Sequence, residues 1–444
     1  MKTWIRDPIA MLAQGGKRGL VVDGGRIIEL VGQGGPTTLC DEVFDARRHV
    51  IVPGMVNAHH HFFQTLTRAH PQAINKELFP WLKQLYPIWG GHRDRFRLAV
   101  RVALVELLVS GCTTASDHLF VFPDDMADAV DIEAEEATQL GMRMTLTRGA
   151  INLGFADGGI ADERLMQDYD TVISDCERVL AKYHDPNEGS FLRVALAPCA
   201  PFNVTKQLMV DTAKLAEKHN CLLHTHLGET RDEDDYCLHH FGCRPLDYLE
   251  QVGWLNERVW LAHGIHFNDA EIARLGKHRM GICHCPTSNM VLSSGVCRTR
   301  DLEAAGATVG LGVDGSASND SSNIMESVRH AFLLGRLAYD ASSITHLDAF
   351  RWATEGSAKC LGRTDIGKIA VGCQADLACF TLEELRFSGA GDPIAALVLC
   401  GAHQADRVMI AGEWRVTDGV PVGVDLARLH DEHGRAARAF ISDI

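Results

Sequence analysis

The stretch VIVPGMVNAHHH, residues 50–61, places three histidines directly after a short apolar run. Seven more apolar runs follow, and helical patterns separate most of them. Strands buried in a parallel sheet appear in sequence as continuous apolar runs of this kind. Eight of them alternating with helices predict an α/β protein, a (β/α)8 TIM-type barrel. The later runs are residues 113–118, 142–148, 192–198, 221–226, 258–263, 280–285 and 308–314, and the clearest helical patterns are 94–110, 124–141, 205–219, 268–278 and 321–338.

The two ends of the chain have a different pattern. Residues 19–32 form two apolar runs around Asp23-Gly24-Gly25, which is typical of a β-hairpin, and residues 374–382 and 406–419 repeat that style. We therefore expect both ends to combine into one small β-sandwich domain beside the barrel. The predicted boundaries are 1–52 for its N-terminal part, 53–368 for the barrel, and 369–444 for its C-terminal part and a tail.

Composition restricts the possible partners and the compartment. The chain has 444 residues and a formal net charge of −15, and it has no run rich in Lys and Arg, which argues against nucleic-acid or membrane-surface binding. Its fourteen cysteines are scattered without a CxxC pair, which favours reduced thiols in the cytoplasm. The N-terminus has no apolar signal core, and no stretch approaches the roughly 20 apolar residues of a membrane span.

Metal-binding side chains end several of the predicted strands. His59 and His61 are two residues apart, so in a strand they point to the same side, while His60 points away. His226 ends the fifth run and Asp314 the eighth, and the C-terminal ends of barrel strands meet at one rim. Three imidazoles and a carboxylate suit one Zn²⁺ with an open position for water, and they also accept Fe²⁺. Each histidine taken singly is equally well explained as a structural side chain.

Four separated stretches resemble the signature motifs of the amidohydrolase superfamily, and more narrowly those of its aminohydrolase branch. They occur in the order that the family shows, and the resemblance extends from about residue 19 to 420. The fourth run ends LAPC (196–199), without the lysine of binuclear members, so the resemblance implies a single metal ion. The four stretches are PGMVNAHHH (53–61), HTHLGET (224–230), LAHGIH (261–266) and GVDGSASND (312–320), and IGKIAVGCQADLACF (366–380) resembles the strand returning to the small β domain.

The resemblance also implies roles for individual residues. His59, His61, His226 and Asp314 match the metal ligands, and Asp314 would also accept a proton from the metal-bound water. Glu229, three residues after His226, matches the acid that carries a proton to the ring nitrogen, and His263 matches the histidine that holds the attacking oxygen. The alternative for Glu229 is a solvated loop acid, which is what we expect of the acidic run at 232–235.

Besides Glu229 and His263, which we also expect to contact the substrate, three further residues are candidates for substrate binding. Gln64 lies three residues after His61, and its amide suits a purine edge with both donors and acceptors, although it could instead cap a loop. Trp81 lies in the long connection 62–92, where it could cover a planar ring or simply pack. Arg148 ends the third run and could pair with a ring carbonyl or form a structural salt bridge.

The implied reaction is hydrolytic removal of an amino group, as ammonia, from an aromatic nitrogen heterocycle. Within the branch, the combined stretches are most similar to enzymes that convert 8-oxoguanine and water to urate and ammonia. Guanine, a pterin such as isoxanthopterin, or an s-triazine remain alternative substrates, and a catalytically silent purine-binding relative is a further alternative. The expected partner is thus a small heterocycle, and the resemblance implies a homo-oligomer.

Overall fold

The computed structural model describes residues 1–89, 93–123 and 126–442. Most strands and helices coincide with the apolar runs and periodic patterns of the sequence. Residues 124–125 of one predicted helix and the last three residues of the connection 62–92 lie outside the described residues. The strands are β1 (Thr3–Arg6), β2 (Ala10–Met11), β3 (Gly19–Asp23), β4 (Arg26–Leu30), β5 (Glu42–Asp45), β6 (His49–Pro53), β7 (Met55–Asn57), β8 (Cys112–Ser116), β9 (Arg143–Ala150), β10 (Leu192–Pro198), β11 (Leu222–Leu227), β12 (Val259–His263), β13 (Gly281–His284), β14 (Thr308–Leu311), β15 (Leu377–Thr381), β16 (Arg407–Ile410), β17 (Glu413–Thr417) and β18 (Val420–Pro421).

Helices occupy most of the connections between these strands. A 3-10 segment, Phe62–Thr67, follows β7, and a π-helical turn, Trp352–Gly356, lies between the twelfth and thirteenth helices. The α-helices are α1 (Leu78–Leu85), α2 (Arg93–Val109), α3 (Ala129–Leu140), α4 (Tyr169–Tyr183), α5 (Lys206–His219), α6 (Arg231–Phe241), α7 (Pro245–Gln251), α8 (Asp269–Lys277), α9 (Pro286–Val291), α10 (Thr299–Ala305), α11 (Ile324–Ala338), α12 (His346–Arg351), α13 (Ser357–Cys360), α14 (Pro393–Leu399) and α15 (Leu426–Ser442).

Strands β7 to β14 form one parallel sheet in sequence order, so the predicted barrel is confirmed. The sheet closes just beyond the ends of its first and last strands. There the Ala58 N–H donates to the Leu311 carbonyl at 3.0 Å, and the Asp314 N–H donates to the His59 carbonyl at 3.1 Å. Two residues with metal-binding side chains therefore also make the closing backbone contact.

The apolar run at 50–57 serves two sheets instead of one. Its first half, β6, pairs with β15 and β2 in the small domain, whereas its second half, β7, begins the barrel. The chain crosses between them at Gly54, where a Cβ would lie 2.3 Å from Thr113 Oγ1. Only glycine therefore fits at this crossing without displacing β8.

The small domain is built from both chain ends, as predicted. One sheet has the order β4-β3-β1-β5, and the other has the order β18-β17-β16-β15-β6-β2. A shared apolar core joins the two sheets, and it includes Ile5, Leu20, Ile51, Leu377 and Met409. Burial of these side chains holds the N-terminal and C-terminal segments of the chain together in one domain.

Within the segment expected to hold a tail, residues 426–442 form helix α15, which the sequence analysis did not predict. This helix packs on α2 and on the 3-10 segment after β7. His433 Nε2 donates to Thr65 Oγ1 at 3.1 Å, and Thr65 in turn donates to the Ala99 carbonyl. The helix was not predicted because its few apolar side chains are buried only by α2 and the 3-10 segment, which lie far away in sequence.

All fourteen cysteines are free thiols, and most are buried. Within the described residues, no helix has both the length and the apolarity that a membrane crossing requires.

A buried ion pair ties the barrel to the small domain. Arg143 in β9 donates from Nε to Asp376 Oδ2 at 2.7 Å, and both side chains are almost fully buried. The other Asp376 oxygen accepts the Ala411 N–H at 2.8 Å. Each buried charge is thus satisfied only while both domains are in place.

We expect Asp376→Ala to lower the free energy of unfolding by about 3–5 kcal/mol, because it leaves the Arg143 guanidinium buried without a counter-charge. Glu257→Ala is the matched control, since it removes an acid from the exposed pair with Arg279. That change should lower the free energy of unfolding by about 1 kcal/mol or less. Denaturant titration of the three proteins measures both values, and equal losses in the two variants would contradict this account.

Candidate metal centre and active site

Six side chains converge inside the rim at the C-terminal ends of the barrel strands. They come from four of the eight strands and the segments that follow them, which is why no single stretch of sequence contains the site. All but the part-buried His226 are buried. They are His59 and His61 after β7, His226 in β11, Glu229 in the loop after β11, His263 at the end of β12, and Asp314 after β14.

Short contacts link the four predicted metal ligands. His61 Nε2 lies 3.2 Å from His226 Nε2. Asp314 Oδ1 lies 3.3 Å from His59 Nε2 and 3.4 Å from His61 Nε2. The structure thus brings together His59, His61, His226 and Asp314, with one ring nitrogen of each histidine directed to a common centre.

Hydrogen bonds on the far side of two rings fix which nitrogen holds the proton. His61 Nδ1 donates to the His118 carbonyl at 2.9 Å, and His226 Nδ1 donates to the Cys199 carbonyl at 2.7 Å. Burial lowers the pKa of His61 to about 3 and that of His226 well below its usual value, so both rings are neutral. Their Nε2 lone pairs therefore face each other, and a cation between them resolves that contact.

The tautomer of His59 is fixed in the same way, through a further histidine, His224. His224 Nδ1 donates to the Trp260 carbonyl at 2.8 Å, which leaves His224 Nε2 as an acceptor. His59 Nδ1 lies 2.8 Å from that nitrogen and donates to it. His59 Nε2 is then a buried lone pair with no hydrogen-bond partner among the described residues. Three such lone pairs beside a carboxylate match the ligand set of a divalent metal ion.

His118, just after β8, is a residue of this cluster to which the sequence analysis assigned no role. Its Nε2 donates to the Ala197 carbonyl at 2.9 Å, and its Nδ1 has no partner among the described residues. It lies within metal-binding reach of His59, His61 and His226. Its place at the end of an apolar run is the signal that could have identified it.

The backbone is strained at two of these positions. His263 has φ 71° and Asp314 has φ 69°, in the left-handed region that non-glycine residues seldom occupy. Such a conformation raises the energy of the folded state by about 1–3 kcal/mol per residue and occurs mainly at functional sites. The left-handed conformation turns the chain out of the extended direction at each residue, where the side chain enters the site.

Glu229 is a buried carboxyl group beside this cluster. Burial, aided by the Asp314 charge and opposed by His263, raises the pKa of Glu229 to about 7. Its Oε2 lies 3.4 Å from His263 Nε2. A carboxyl group with this pKa can both donate and accept a proton near neutral pH.

The expectation of solvated loop acids at 232–235 holds for the exposure of Asp232 and Asp235, but it was wrong for Glu233 and for the loop. Residues 232–235 belong to helix α6, and Glu233 is buried, with its Oε2 accepting the Glu229 N–H at 3.0 Å. Asp234 pairs with Arg244 at 2.9 Å. Glu233 thus supplies the acceptor that the buried Glu229 N–H requires, from the first turn of the helix that directly follows it.

His263 is oriented by a residue that the sequence analysis did not single out. Its Nδ1 donates to Asn289 Oδ1 at 3.0 Å. The lone pair on His263 Nε2 consequently faces the site, 3.8 Å from Asp314 Oδ2. Asn289 lies in α9 beyond the next strand, and its distance in sequence concealed this role.

An aromatic-walled pocket of about 410 Å³, including its open mouth, lies above these side chains. Gln64 and Trp81 both line it. Gln64 Oε1 accepts the Ala317 N–H at 3.2 Å, and Trp81 Nε1 donates to the Ala317 carbonyl at 3.2 Å. The other aromatic walls are Tyr86, Trp89, Phe120 and Phe202, and such walls suit a planar ring.

Arg148 lies outside this pocket. Its Nε donates to Asp175 Oδ2 at 2.5 Å, its Nη2 donates to Gln167, and its guanidinium packs over the Phe122 ring. Of the two interpretations that the sequence left open for Arg148, the structure therefore favours the structural salt bridge.

We expect His224→Phe to weaken metal binding about 10–100-fold, because His59 would lose the acceptor that sets its tautomer. His61→Ala should remove bound metal altogether, since it deletes a ligand. The matched control is His239→Ala in α6, which replaces an exposed histidine and should leave metal binding unchanged. Elemental analysis and chelator competition measure the outcome, and full metal affinity in His224→Phe would contradict the relay.

Known proteins resemble this chain along almost its whole length. An 8-oxoguanine deaminase from Pseudomonas aeruginosa is 54% identical, with 99% of each chain covered, and an isoxanthopterin deaminase from an unknown prokaryotic organism is 33% identical, with 91% of this chain and 88% of that protein covered. The crystal structure of atrazine chlorohydrolase from Arthrobacter aurescens complexed with zinc has a TM-score of 0.91 at 28% identity and covers 98% and 100% of the two chains. Residues 50–415 match the Amidohydrolase family. The chain belongs to the amidohydrolase family.

Proposed function

We propose that this protein hydrolyses 8-oxoguanine to urate and ammonia. The observation that carries the proposal is the buried Glu229, with a pKa of about 7, beside the metal-binding cluster at the foot of an aromatic pocket. The extensive identity to an 8-oxoguanine deaminase supports the choice of heterocycle. Water adds its oxygen at C2 of the ring, and the exocyclic C–N bond breaks to release ammonia.

We assign one Zn²⁺ per subunit to His59, His61, His226 and Asp314, a set that Fe²⁺ also fits. A divalent metal ion at such a site lowers the pKa of bound water from 15.7 to about 7 and so supplies hydroxide at neutral pH. The histidine lone pairs support this assignment, since each faces the centre without a proton.

Asp314 and His263 would handle the attacking oxygen. The Asp314 carboxylate would accept the proton that the water loses. His263, with its Nδ1–H committed to Asn289, presents Nε2 as an acceptor and would hold the remaining O–H in line with the ring carbon. Both side chains are held by short strand ends, so little rearrangement is needed.

Glu229 would supply the protons that the ring and the leaving group need. In its protonated form it would donate to the ring nitrogen adjacent to the reacting carbon. Glu229 would regain a proton from the hydroxyl group on the reacting carbon and pass it to the departing amino group, so that the C–N bond breaks and ammonia leaves. Asp314 would then return the first water proton to Glu229. Gln64 would bind the polar edge of the pyrimidine ring, and Trp81 would cover its face.

The heterocycle is tested by measuring ammonia release from 8-oxoguanine, guanine, isoxanthopterin and hydroxyatrazine. We expect the highest kcat/KM with 8-oxoguanine and urate as its product. A higher kcat/KM with isoxanthopterin would transfer the same chemistry to a pterin, and no release from any of them would support a catalytically silent relative.

Free thiols throughout the chain support a cytoplasmic location. A homo-oligomer remains an expectation that analytical ultracentrifugation tests.

We expect Glu229→Gln to retain metal but to lose about 10²–10⁴-fold in kcat, because the amide cannot carry the proton. Glu217→Gln is the control, since Glu217 lies on the exposed face of α5 and should be dispensable. Steady-state kinetics and metal content are measured on the same preparations. Turnover unchanged in Glu229→Gln would remove this residue from the reaction.

A further inference from the structure

We propose that the Tyr86 hydroxyl, oriented by Asn203, recognises the C8 carbonyl of the substrate and so selects 8-oxopurines over guanine. This inference rests on the proposed deamination of an aminopurine. It assigns to the far wall of the pocket a role that the metal cluster and Glu229 do not provide.

The hydrogen bonds around Tyr86 leave only a weak acceptor, the Cys199 sulfur, for its proton. Tyr86 follows helix α1, lines the pocket and is 1% exposed. Asn203 Nδ2 donates to the Tyr86 hydroxyl oxygen at 2.6 Å. The hydroxyl oxygen is therefore an acceptor in that contact, and its own proton must be donated elsewhere. The nearby Cys199 sulfur is a weak acceptor, so a carbonyl oxygen of a ligand is a better partner.

This hydroxyl lies on the same side of the site as Glu229. Cys199 follows β10, and its carbonyl accepts the Nδ1–H of His226 in β11. Asn203 Nδ2 lies 3.5 Å from the Cys199 sulfur. Burial raises the pKa of the Cys199 thiol to about 12, and the nearby Glu229 carboxylate adds to the rise. Tyr86, Cys199 and Glu229 thus form one continuous wall.

Gln64 and Trp81 lie on the opposite side. Both are hydrogen-bonded to Ala317, in the segment after β14, and Gln64 itself follows β7. In a closed sheet whose strands run in the order β7 to β14, the first and last strands are neighbours, and β10 and β11 lie across the barrel from them. The pocket therefore has two different polar walls, with the reacting centre between them.

The connectivity of the purine ring assigns its edges to these two walls. The reacting carbon, C2, lies between N1 and N3. If Glu229 protonates N3, the atoms that continue from N3 on that side are C4, N9 and C8. The carbonyl on C8 then extends toward Tyr86, whereas N1 and C6 turn toward Gln64. Guanine has only a C–H at C8, so its binding would leave the buried Tyr86 proton with the weak Cys199 acceptor alone, and a site built to hydrogen-bond a substrate group discriminates against an analogue that lacks it.

The test compares pairs of compounds that differ only at C8, using metal-loaded protein. 8-Oxoguanine and guanine are the substrate pair, and urate and xanthine are the product pair. In Tyr86→Phe we expect kcat/KM for 8-oxoguanine to fall about 10–100-fold relative to that for guanine, as loss of one buried hydrogen bond predicts. Calorimetric binding of urate should weaken by a similar factor relative to that of xanthine, and this readout needs no turnover.

Two further variants separate recognition from packing. Asn203→Asp replaces the donor to Tyr86 by an acceptor, which would take the Tyr86 proton and should reduce the same ratios. Tyr248→Phe is the matched control, because Tyr248 is also fully buried and its hydroxyl has no hydrogen-bond partner among the described residues. That variant should keep both ratios at the wild-type values.

The outcomes distinguish this inference from the proposed function. Wild-type protein that releases no ammonia from 8-oxoguanine would overturn both. Wild-type activity combined with unchanged ratios in Tyr86→Phe would overturn only the role of Tyr86. A uniform loss for both members of each pair would also overturn it, because that result describes a packing defect.

Discussion

Three imidazole lone pairs directed at a common centre, two of them 3.2 Å apart and the third 3.3 Å from a carboxylate oxygen, are the interaction on which the rest of this site depends. Each is created by a hydrogen bond on the other side of its ring, to the His118 carbonyl, to the Cys199 carbonyl, or through His224 to the Trp260 carbonyl. Without a cation this arrangement is unfavourable, since buried acceptors would face only acceptors. The backbone carbonyls of the barrel therefore fix the ring orientations and tautomers that a metal ion requires.

The same strand ends also hold the barrel together. Where the sheet closes, the Asp314 N–H donates to the His59 carbonyl. The side chains of the same two residues meet in the metal-binding cluster. Glu229 lies in a loop, and its own N–H donates to Glu233 of helix α6. The residues for metal binding and proton transfer thus lie in the segments that follow the strands, and the parallel sheet brings these segments together, as is general for this class of fold.

Much of this arrangement was predictable from sequence, and the remainder has identifiable physical reasons. Alternation of side chains and apolar run ends indicated His59, His61, His226 and Asp314, because parallel strands bring their ends together whatever lies between. His224, Asn289 and Glu233 were missed because each acts on a partner that only the folded barrel brings near. Arg148 could not be decided, since a strand-end arginine may point into the rim or outward to Asp175 with the same local sequence.

The contact from His433 to Thr65 has a consequence for handling the protein. Thr65 is the immediate neighbour of Gln64, so the last helix of the chain braces the segment that forms one wall of the pocket. A tag or fusion partner joined to helix α15 would act on a helix that supports this wall of the pocket, whereas the N-terminal sheet makes no equivalent hydrogen bond to this segment within the described residues. A tag placed beside the N-terminal sheet would not act on the contact between His433 and Thr65.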